Sequence, residues 1–348
     1  MSMYYETATH SIAAGVVLSI VDTFVVSLKF WTRRIQKQPL KADDWLLVPA
    51  TILTVGIGVV LTYGATHKAI GWPLVVPPDY QGNINMMYTD QVSLSRKVQY
   101  AFILMHPLAL GLTKASLLFL YKRIFATERK TRALLTTSIT VVALWTVAFF
   151  FSEVFQCKTN FWANWGTTHD IQTQCLKTTK ILWAVCLTDF ALDLLVLIIP
   201  IPLTLRLKLS AKKMAAVLGI FLLGAITVAA SLLRLIVLTG LVFSPHSATA
   251  SHRFVSITTS MYWGMVESSI GIIVACLPTI QFLFRRNSLT GASRSVTMRR
   301  YGKVDISRPR PFQSSFSSGP TNQTEDSVDV AYSNKYKSPI VDRAVVLV

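Results

Sequence analysis

Two carboxylates lie four residues apart in a stretch that is otherwise apolar enough to cross a membrane. Residues 189–202 read DFALDLLVLIIPIP, and the stretch carries Asp189 and, one helical turn further on, Asp193. A charged side chain at the centre of a bilayer costs about 2.5–3.5 kcal/mol on insertion scales. We therefore expect both acids to point into a polar helix-bundle interior rather than toward lipid.

Ionisable residues in other apolar runs offer partners for the two acids. Counting along the helices at about 1.5 Å per residue places Arg234 at nearly the depth of Asp189. A paired charge avoids most of the cost of an isolated one, so we expect Arg234 to pair with Asp189. The other candidates for the polar core or a ligand pocket are Asp22 in the first run, Lys114 in the third and Glu267 in the seventh.

The balance of charge in this set is negative. Four acids against two bases leave an excess of acid, so we expect some carboxyl groups to be protonated, hydrated or bound to a cation. Three interpretations stay open: side chains that only hold the helices together, a pocket for a ligand or an ion, and a proton relay or acid–base catalyst. The last requires two carboxyl groups whose surroundings give them different pKa values.

The elements that must position these residues are membrane helices. Hydrophobic residues make up 52% of the 348-residue chain and charged residues 15%, against about 25% charged in soluble domains. The apolar residues fall into seven runs, each near the length of about 20 residues that spans a bilayer core. These runs cover 11–31, 44–65, 100–121, 133–153, 181–202, 214–241 and 254–284. We predict an all-α bundle of seven transmembrane helices over residues 11–286.

The loops between the runs predict the orientation of the bundle. The first, third and fifth connections carry thirteen Lys and Arg residues, whereas the other three connections carry seven. Basic loops stay on the cytosolic side, so residues 1–10 are predicted to be outside and the tail inside. The first run has no basic leader and is followed by Arg33 and Arg34, which favours a retained anchor over a cleaved signal peptide.

The four cysteines divide into two pairs by position. Cys157 and Cys175 lie in the connection between the fourth and fifth runs, which is predicted to be outside, where disulfides persist. We expect these two to form a disulfide. Cys186 and Cys276 lie inside runs and are expected to be small packing residues. No Cys and His spacing resembles a zinc site, so we predict neither a metal nor a cofactor.

The C-terminal tail and the net charge of +17 indicate which partners the protein can bind. Residues 287–348 are rich in Ser, Arg and Pro and cannot bury enough apolar surface to fold alone, so we predict a disordered cytosolic tail. Its basic first part would lie on anionic lipid and its serines would be open to phosphorylation, or the tail only solubilises the protein. Basic residues form no single face with interleaved aromatics, which excludes nucleic acid as a partner.

Several motifs resemble the fungal rhodopsin-domain family over about residues 10–285. They include ADDWLL, LTKASLLFLYKRIF, DLLVLIIPIP, KKMAAVLGIFLLGAITVAASLLRL and YWGMVESSIGIIVACLP. The resemblance implies a seven-helix membrane protein related to fungal surface-sensing receptor-like proteins and to the satratoxin-cluster membrane protein. Residues at family positions are Asp43, Asp44, Lys114, Arg123, Cys157, Cys175, Asp193, Pro200, Arg234, Glu267 and Pro278. Asp189 stands where relatives usually have Asn.

The resemblance implies a receptor-like function but not a light receptor. A retinal pigment needs a lysine in its seventh helix, and residues 254–284 contain none. We therefore predict a G-protein-coupled-receptor-like sensor without retinal, in the plasma membrane, with an unknown small-molecule ligand and a G protein or other cytosolic partner. The alternative is a membrane accessory protein or membrane-embedded enzyme of a secondary-metabolite biosynthetic cluster. Transport is less favoured, because no paired broken helices are present.

Overall fold

The computed structural model describes residues 7–73, 88–126, 128–205, 211–243 and 256–280, and these residues form helices and short connections without a strand. A short 3-10 helix, Phe161–Trp165, precedes α5. The α-helices are α1 (Ala8–Ile35), α2 (Ala42–Thr66), α3 (Asp90–Phe125), α4 (Arg129–Val154), α5 (Thr168–Gln174), α6 (Thr178–Ile198), α7 (Pro200–Leu205), α8 (Ala211–Phe243) and α9 (Ser256–Ile280).

Seven helical segments are long and apolar enough to cross a membrane, which confirms the predicted seven-helix fold class. They are Ala8–Ile35, Ala42–Thr66, Asp90–Phe125, Arg129–Val154, Thr178–Pro202, Phe221–Gly240 and Ser256–Ile280. The protein is therefore a multi-pass membrane protein. The predicted tail, together with residues 74–87 of the second connection, lies outside the described residues.

Two of the seven helices lie at the centre of the bundle. In α3 and α9, 61% of the most apolar 18-residue window is buried, whereas the value is 22% for α1 and α4. The outer helices instead expose large apolar side chains, among them Phe24 of α1 and Leu144 of α4, which are both 65% exposed. Such side chains suit contact with lipid, whereas the central helices α3 and α9 can place polar side chains in the interior of the bundle.

Close approach of α1 and α2 depends on two glycines. A Cβ atom on Gly15 would lie 2.7 Å from the Gly58 carbonyl oxygen, and one on Gly58 would lie 2.6 Å from the Gly15 carbonyl oxygen. Real Cβ atoms do not come this close to a backbone oxygen, so only glycine permits this contact. Small residues at helix interfaces are typical of membrane proteins, where packing rather than water exclusion drives association.

The buried apolar side chains form two clusters with a polar layer between them. On α3, Phe102 and Ala109 belong to one cluster and Leu117 and Leu118 to the other, with Lys114 between them. On α9 the same order recurs: Met261 and Met265 belong to the first cluster, Ile272 and Val274 to the second, and Glu267 lies between. The two central helices therefore place their ionisable residues at one level.

The connection between α4 and α6 is held together by the predicted disulfide. Cys157 and Cys175 are bonded to each other, which confirms the pairing expected from the sequence. At the start of α5, Asp170 accepts hydrogen bonds from the Thr167 hydroxyl at 2.7 Å and its backbone N–H at 2.8 Å. Both bonds favour the ionised carboxylate and hold the pKa of Asp170 below its ordinary value. This connection is thus an ordered segment at one end of the bundle.

Candidate functional site

Lys114 of α3 is bonded to both acids of the DFALD motif. Its Nζ lies 2.5 Å from Asp189 Oδ1 and 2.9 Å from Asp193 Oδ1, and all three side chains are at least nine-tenths buried. The acids can share one cation because residues four apart lie on the same face of a helix. Lys114 therefore ties α3 to α6 through two buried ion pairs.

An aromatic residue of α4 covers the same lysine. Lys114 Nζ lies 5.8 Å from the ring centroid of Trp145, within the range of a cation–π contact. The indole N–H of Trp145 donates to the Thr188 hydroxyl of α6 at 2.8 Å, which fixes the orientation of the ring. A buried lysine is thus stabilised from three sides by two carboxylates and one aromatic face.

A second ion pair joins α8 to α9 and reaches α3. Arg234 Nη1 lies 3.1 Å from Glu267 Oε2 and 3.4 Å and 3.2 Å from Nδ1 and Nε2 of His106, while His106 Nε2 lies 3.2 Å from the Gly264 carbonyl oxygen. A neutral imidazole with its proton on Nε2 donates to this carbonyl, while the guanidinium nitrogen lies at nearly the same distance from both ring nitrogens. His106 is therefore a satisfied interior residue that positions Arg234.

Gly264 permits this arrangement because it leaves room for the histidine. A Cβ atom at Gly264 would lie 2.7 Å from Cζ of Phe102 and 2.9 Å from Nε2 of His106. The Phe102 and His106 rings are themselves stacked, with centroids 4.9 Å apart. A larger residue at this position would separate α9 from α3 beside the charged layer.

Three carboxyl groups converge in this layer. Asp189, Asp193 and Glu267 each offer a carboxylate oxygen that lies within 4.8 Å of those of the other two. Each group also retains one buried oxygen without an N–H or hydroxyl donor among the described residues: Asp189 Oδ2, Asp193 Oδ2 and Glu267 Oε1. We call the three acids, Lys114 and Arg234 the central cluster. Its members come from α3, α6, α8 and α9.

The expected pairing of Asp189 with Arg234 is wrong. Asp189 is paired with Lys114, and Arg234 is paired with Glu267. Counting residues along a helix gives depth but not the direction in which a side chain points, so it could not distinguish neighbours at one level. The long side chain of Lys114 reaches Asp189 from α3.

Asp22, the remaining candidate, is not part of the central cluster. Its side chain is fully buried in α1, and neither carboxylate oxygen accepts a hydrogen bond from the described residues. Glu153, at the end of α4, is a second buried acid outside the central cluster, close enough to Arg234 to interact with its charge; it is 2% exposed and its Oε1 has no hydrogen-bond partner among the same residues. Glu153 was missed because it lies at the edge of its apolar run.

A second group of charges, which we call the α1–α2 ion cluster, consists of Lys29, Arg33, Asp43 and Asp44. The sequence motifs place the two acids at family positions but do not predict these ion pairs. Lys29 Nζ lies 3.2 Å from Asp44 Oδ1, and Arg33 lies 3.2 Å from Asp43 Oδ2 and 3.3 Å from Asp44 Oδ2. Arg123 of α3 approaches Asp43 at 3.9 Å. Lys29, Arg33 and both acids are at most 4% exposed. Arg33 was counted only as a basic loop residue.

The α1–α2 ion cluster also contacts the two central helices through backbone groups. Ser116 of α3 donates to the Asp43 carbonyl oxygen at 2.6 Å, and Lys29 donates to the Ala275 carbonyl oxygen of α9 at 3.3 Å. Two features could have pointed to this cluster: the spacing of four between Lys29 and Arg33, and the acid pair in the first turn of α2. The helix dipole favours acidic residues in the first turn of a helix whether they are exposed or buried, so the acid pair alone does not predict a buried cluster.

Comparison with known proteins places the chain among fungal membrane proteins. A family model described as Fungal rhodopsin domain matches residues 28–286. Phomoidride biosynthesis cluster protein H of a fungal species (strain ATCC 74256) is 25% identical over 81% of this chain and 91% of its own length. Receptor GIN3 of Arthrobotrys oligospora is 25% identical over 77% of this chain and 60% of its own.

A third relative carries a family name rather than a function. A SAT4 family membrane protein of Emericella nidulans is 28% identical over 66% of this chain and 59% of its own length. No solved structure matches the chain. The similar proteins thus include one described as a receptor and one described as a biosynthesis cluster protein.

Proposed function

The chain belongs to the fungal rhodopsin domain family, and on that premise we propose that it is a receptor-like membrane sensor that works without retinal. The observation that carries this proposal is the central cluster, in which five buried ionisable side chains from four helices meet at one level. A ligand that exchanges contacts with these charges would change how α3, α6, α8 and α9 pack together. The relative described as a receptor supports the same assignment.

Sensing requires that the ligand bind two packings of the bundle with different affinity. The central cluster meets that requirement because its ion pairs are between helices, so any shift of α6 or α9 alters charge pairing in a low-dielectric interior. The ligand in this proposal is a small molecule that carries a hydrogen-bonding or charged group. The disulfide-bonded connection between α4 and α6 would cover the outer end of the site.

The proposed orientation puts the N-terminus outside and the loop between α3 and α4 in the cytosol of the cell. That loop and its flanks carry Lys122, Arg123, Arg129, Lys130 and Arg132, and such basic surfaces favour a cytosolic protein partner or anionic lipid. A G protein is the cytosolic partner that a receptor role implies. The plasma membrane is the proposed location, because an outward-facing sensor must meet its ligand there.

The proposal is tested by a thermal-shift screen of the purified full-length protein in lipid nanodiscs against a library of fungal and plant metabolites. A true ligand raises Tm in a saturable way, because it binds the folded state and not the unfolded one. Asp193→Asn should abolish this shift, while the matched control Asp22→Asn, a buried carboxylate outside the central cluster, should retain it. Equal shifts in the two variants would contradict a site at the central cluster.

A second candidate function is supported by the relative described as a biosynthesis cluster protein, which aligns over 91% of its length. In this alternative the protein assists a biosynthetic pathway, or acts on a hydrophobic intermediate with Asp189, Asp193 or Glu267 as the acid. Deleting the gene and profiling metabolites distinguishes the two functions. Accumulation of one intermediate that the purified protein converts supports the enzyme, whereas unchanged metabolites and altered responses to external compounds support the sensor.

A further inference from the structure

With all three of its carboxyl groups ionised, the central cluster carries one uncompensated negative charge. Asp189, Asp193 and Glu267 face two cations, Lys114 and Arg234, which are bonded to them at 2.5–3.1 Å. An uncompensated buried charge is costly, so proteins pair it, protonate it or bind an ion to it. One further positive charge would make the central cluster neutral.

The three carboxylates also leave the ligand atoms that an ion would need. One oxygen of each has no N–H or hydroxyl donor among the described residues, and all three side chains are at least nine-tenths buried. The Glu267 carboxyl group is within hydrogen-bond reach of both Asp189 and Asp193, but one proton bridges only two of the three oxygens at a time. A metal ion can contact all three carboxylates at once.

We propose that Asp189, Asp193 and Glu267 form a binding site for one monovalent alkali-metal cation of the size of sodium. Hard cations of this size bind oxygen ligands at about 2.3–2.6 Å, so two ligands on opposite sides of the ion lie about 5 Å apart. One carboxylate oxygen of each of the three residues lies within 4.8 Å of those of the other two, which fits this spacing. A divalent ion would leave an excess of positive charge beside Lys114 and Arg234.

A role for the cation in sensing rests on the proposed function, whereas binding of the cation can be tested without it. Two of the three ligands are on α6 and the third is on α9, so a bound ion stabilises the packing in which these helices meet. A small-molecule ligand that favours another packing would lower the affinity for the ion, and the ion would lower the affinity for the ligand to the same degree. The cation would thus set the threshold of the sensor.

Other titratable or charged groups around the three carboxylates decide how protons compete with the ion. They are His106 and Lys114 of α3, Glu153 of α4, Cys186 of α6 and Arg234 of α8. Protonation of any of the three carboxylates removes the negative charge that attracts the cation. Ion binding should therefore weaken as the pH falls.

The test is binding of radioactive sodium to the purified full-length protein in nanodiscs, with choline holding ionic strength constant. We expect saturable binding of one ion per chain, displaced by unlabelled sodium and weakened at low pH. Sodium in tenfold excess over its Kd should raise Tm by about 2–4 °C relative to choline. The variants Asp193→Asn and Glu267→Gln should lose both effects, while Asp22→Asn should keep them.

Each outcome of this experiment decides the inference. No saturable sodium binding to the wild-type protein would overturn it, even if a variant fails to fold. A Tm that responds to pH but equally to sodium and choline would overturn it in favour of a shared proton. Loss of sodium binding in Asp22→Asn to the same degree would place the site elsewhere. None of these results depends on a small-molecule response, so the proposed function stands or fails separately.

Discussion

Lys114 is the residue whose removal leaves the most buried charge without a partner. It is bonded to both Asp189 and Asp193, so replacing it leaves two acids in the interior with no direct cationic partner. Loss of one partner of a buried ion pair costs about 3–5 kcal/mol. We therefore expect Lys114→Met to lower the yield of folded protein and its Tm in detergent, as measured by size-exclusion chromatography and thermal unfolding.

The control for Lys114 is an exposed lysine on the neighbouring helix. Lys180→Met at the start of α6 should leave both quantities unchanged. The double variant Lys114→Met with Asp189→Asn should recover part of the loss, because one of the unpaired charges is gone. If Lys114→Met were as stable as Lys180→Met, the two ion pairs would not exist as described.

Gly264 offers a second prediction for a single residue. A methyl group there would meet the Phe102 and His106 rings at less than 3.0 Å, so Gly264→Ala must displace α9 or the histidine. Such overpacking costs about 1–3 kcal/mol. At Gly219 of α8 a Cβ atom would meet nothing within 4 Å, so Gly219→Ala should be neutral or stabilising by up to about 1 kcal/mol. Thermal unfolding of both variants in one detergent measures the contrast, and equal Tm values would contradict it.

At the scale of the residue, the sequence selected the right side chains but not their partners. Lys114, Asp189, Asp193, Arg234 and Glu267 stand out because ionisable residues are rare in apolar runs. Their pairing depends on the rotation of each helix about its own axis. That rotation is set by packing against neighbouring helices, and counting residues along one helix gives no information about this packing.

Among the elements, α1 and α2 are joined by charge as well as by their two glycines. Lys29 and Asp44 lie 3.2 Å apart in the α1–α2 ion cluster, and Lys29 also donates to a carbonyl of α9. We predict a coupling energy of about 0.5–3 kcal/mol in a double-mutant cycle of Lys29→Met and Asp44→Asn. Unfolding in increasing denaturing detergent supplies the four free energies.

A distant acid provides the reference for that cycle. Asp170 lies at the start of α5 in the disulfide-bonded connection, so Lys29→Met and Asp170→Asn should act additively. A coupling between Lys29 and Asp44 no larger than in this reference pair would mean that the ion pair does not hold α1 to α2. Since Arg33 also approaches Asp44, part of the coupling can persist through that residue.

Hydropathy predicted the number of membrane helices but not all of their bounds. The third apolar run was placed at 100–121, whereas α3 covers Asp90–Phe125. Seven of its first ten residues are polar, and Thr89 caps the helix by accepting a hydrogen bond from the Val92 N–H at 3.3 Å. Hydropathy detects only the part of a helix that suits lipid, while capping and packing decide where the helix begins.

For the whole molecule, the prediction of orientation can be tested directly. Basic loops predict the N-terminus outside and the C-terminus in the cytosol. An odd number of spans likewise places the two ends on opposite sides of the membrane. An epitope tag at the N-terminus should be labelled by antibody in intact cells, whereas a tag at the C-terminus should be labelled only after permeabilisation. Labelling of the C-terminal tag alone in intact cells would reverse the topology, and equal labelling would contradict an odd number of spans.

The sequence by itself determined the family, the seven helices and the disulfide between Cys157 and Cys175. These follow from local composition, from the order of the motifs and from the position of two cysteines in one connection. None of them requires a distance between residues that are far apart in the sequence. Only the tertiary structure decided that Lys114 pairs with both acids of α6, that Arg234 pairs with Glu267, and that Asp22 lies outside the central cluster. The reason is physical: which buried charges meet depends on how whole helices rotate and pack against one another.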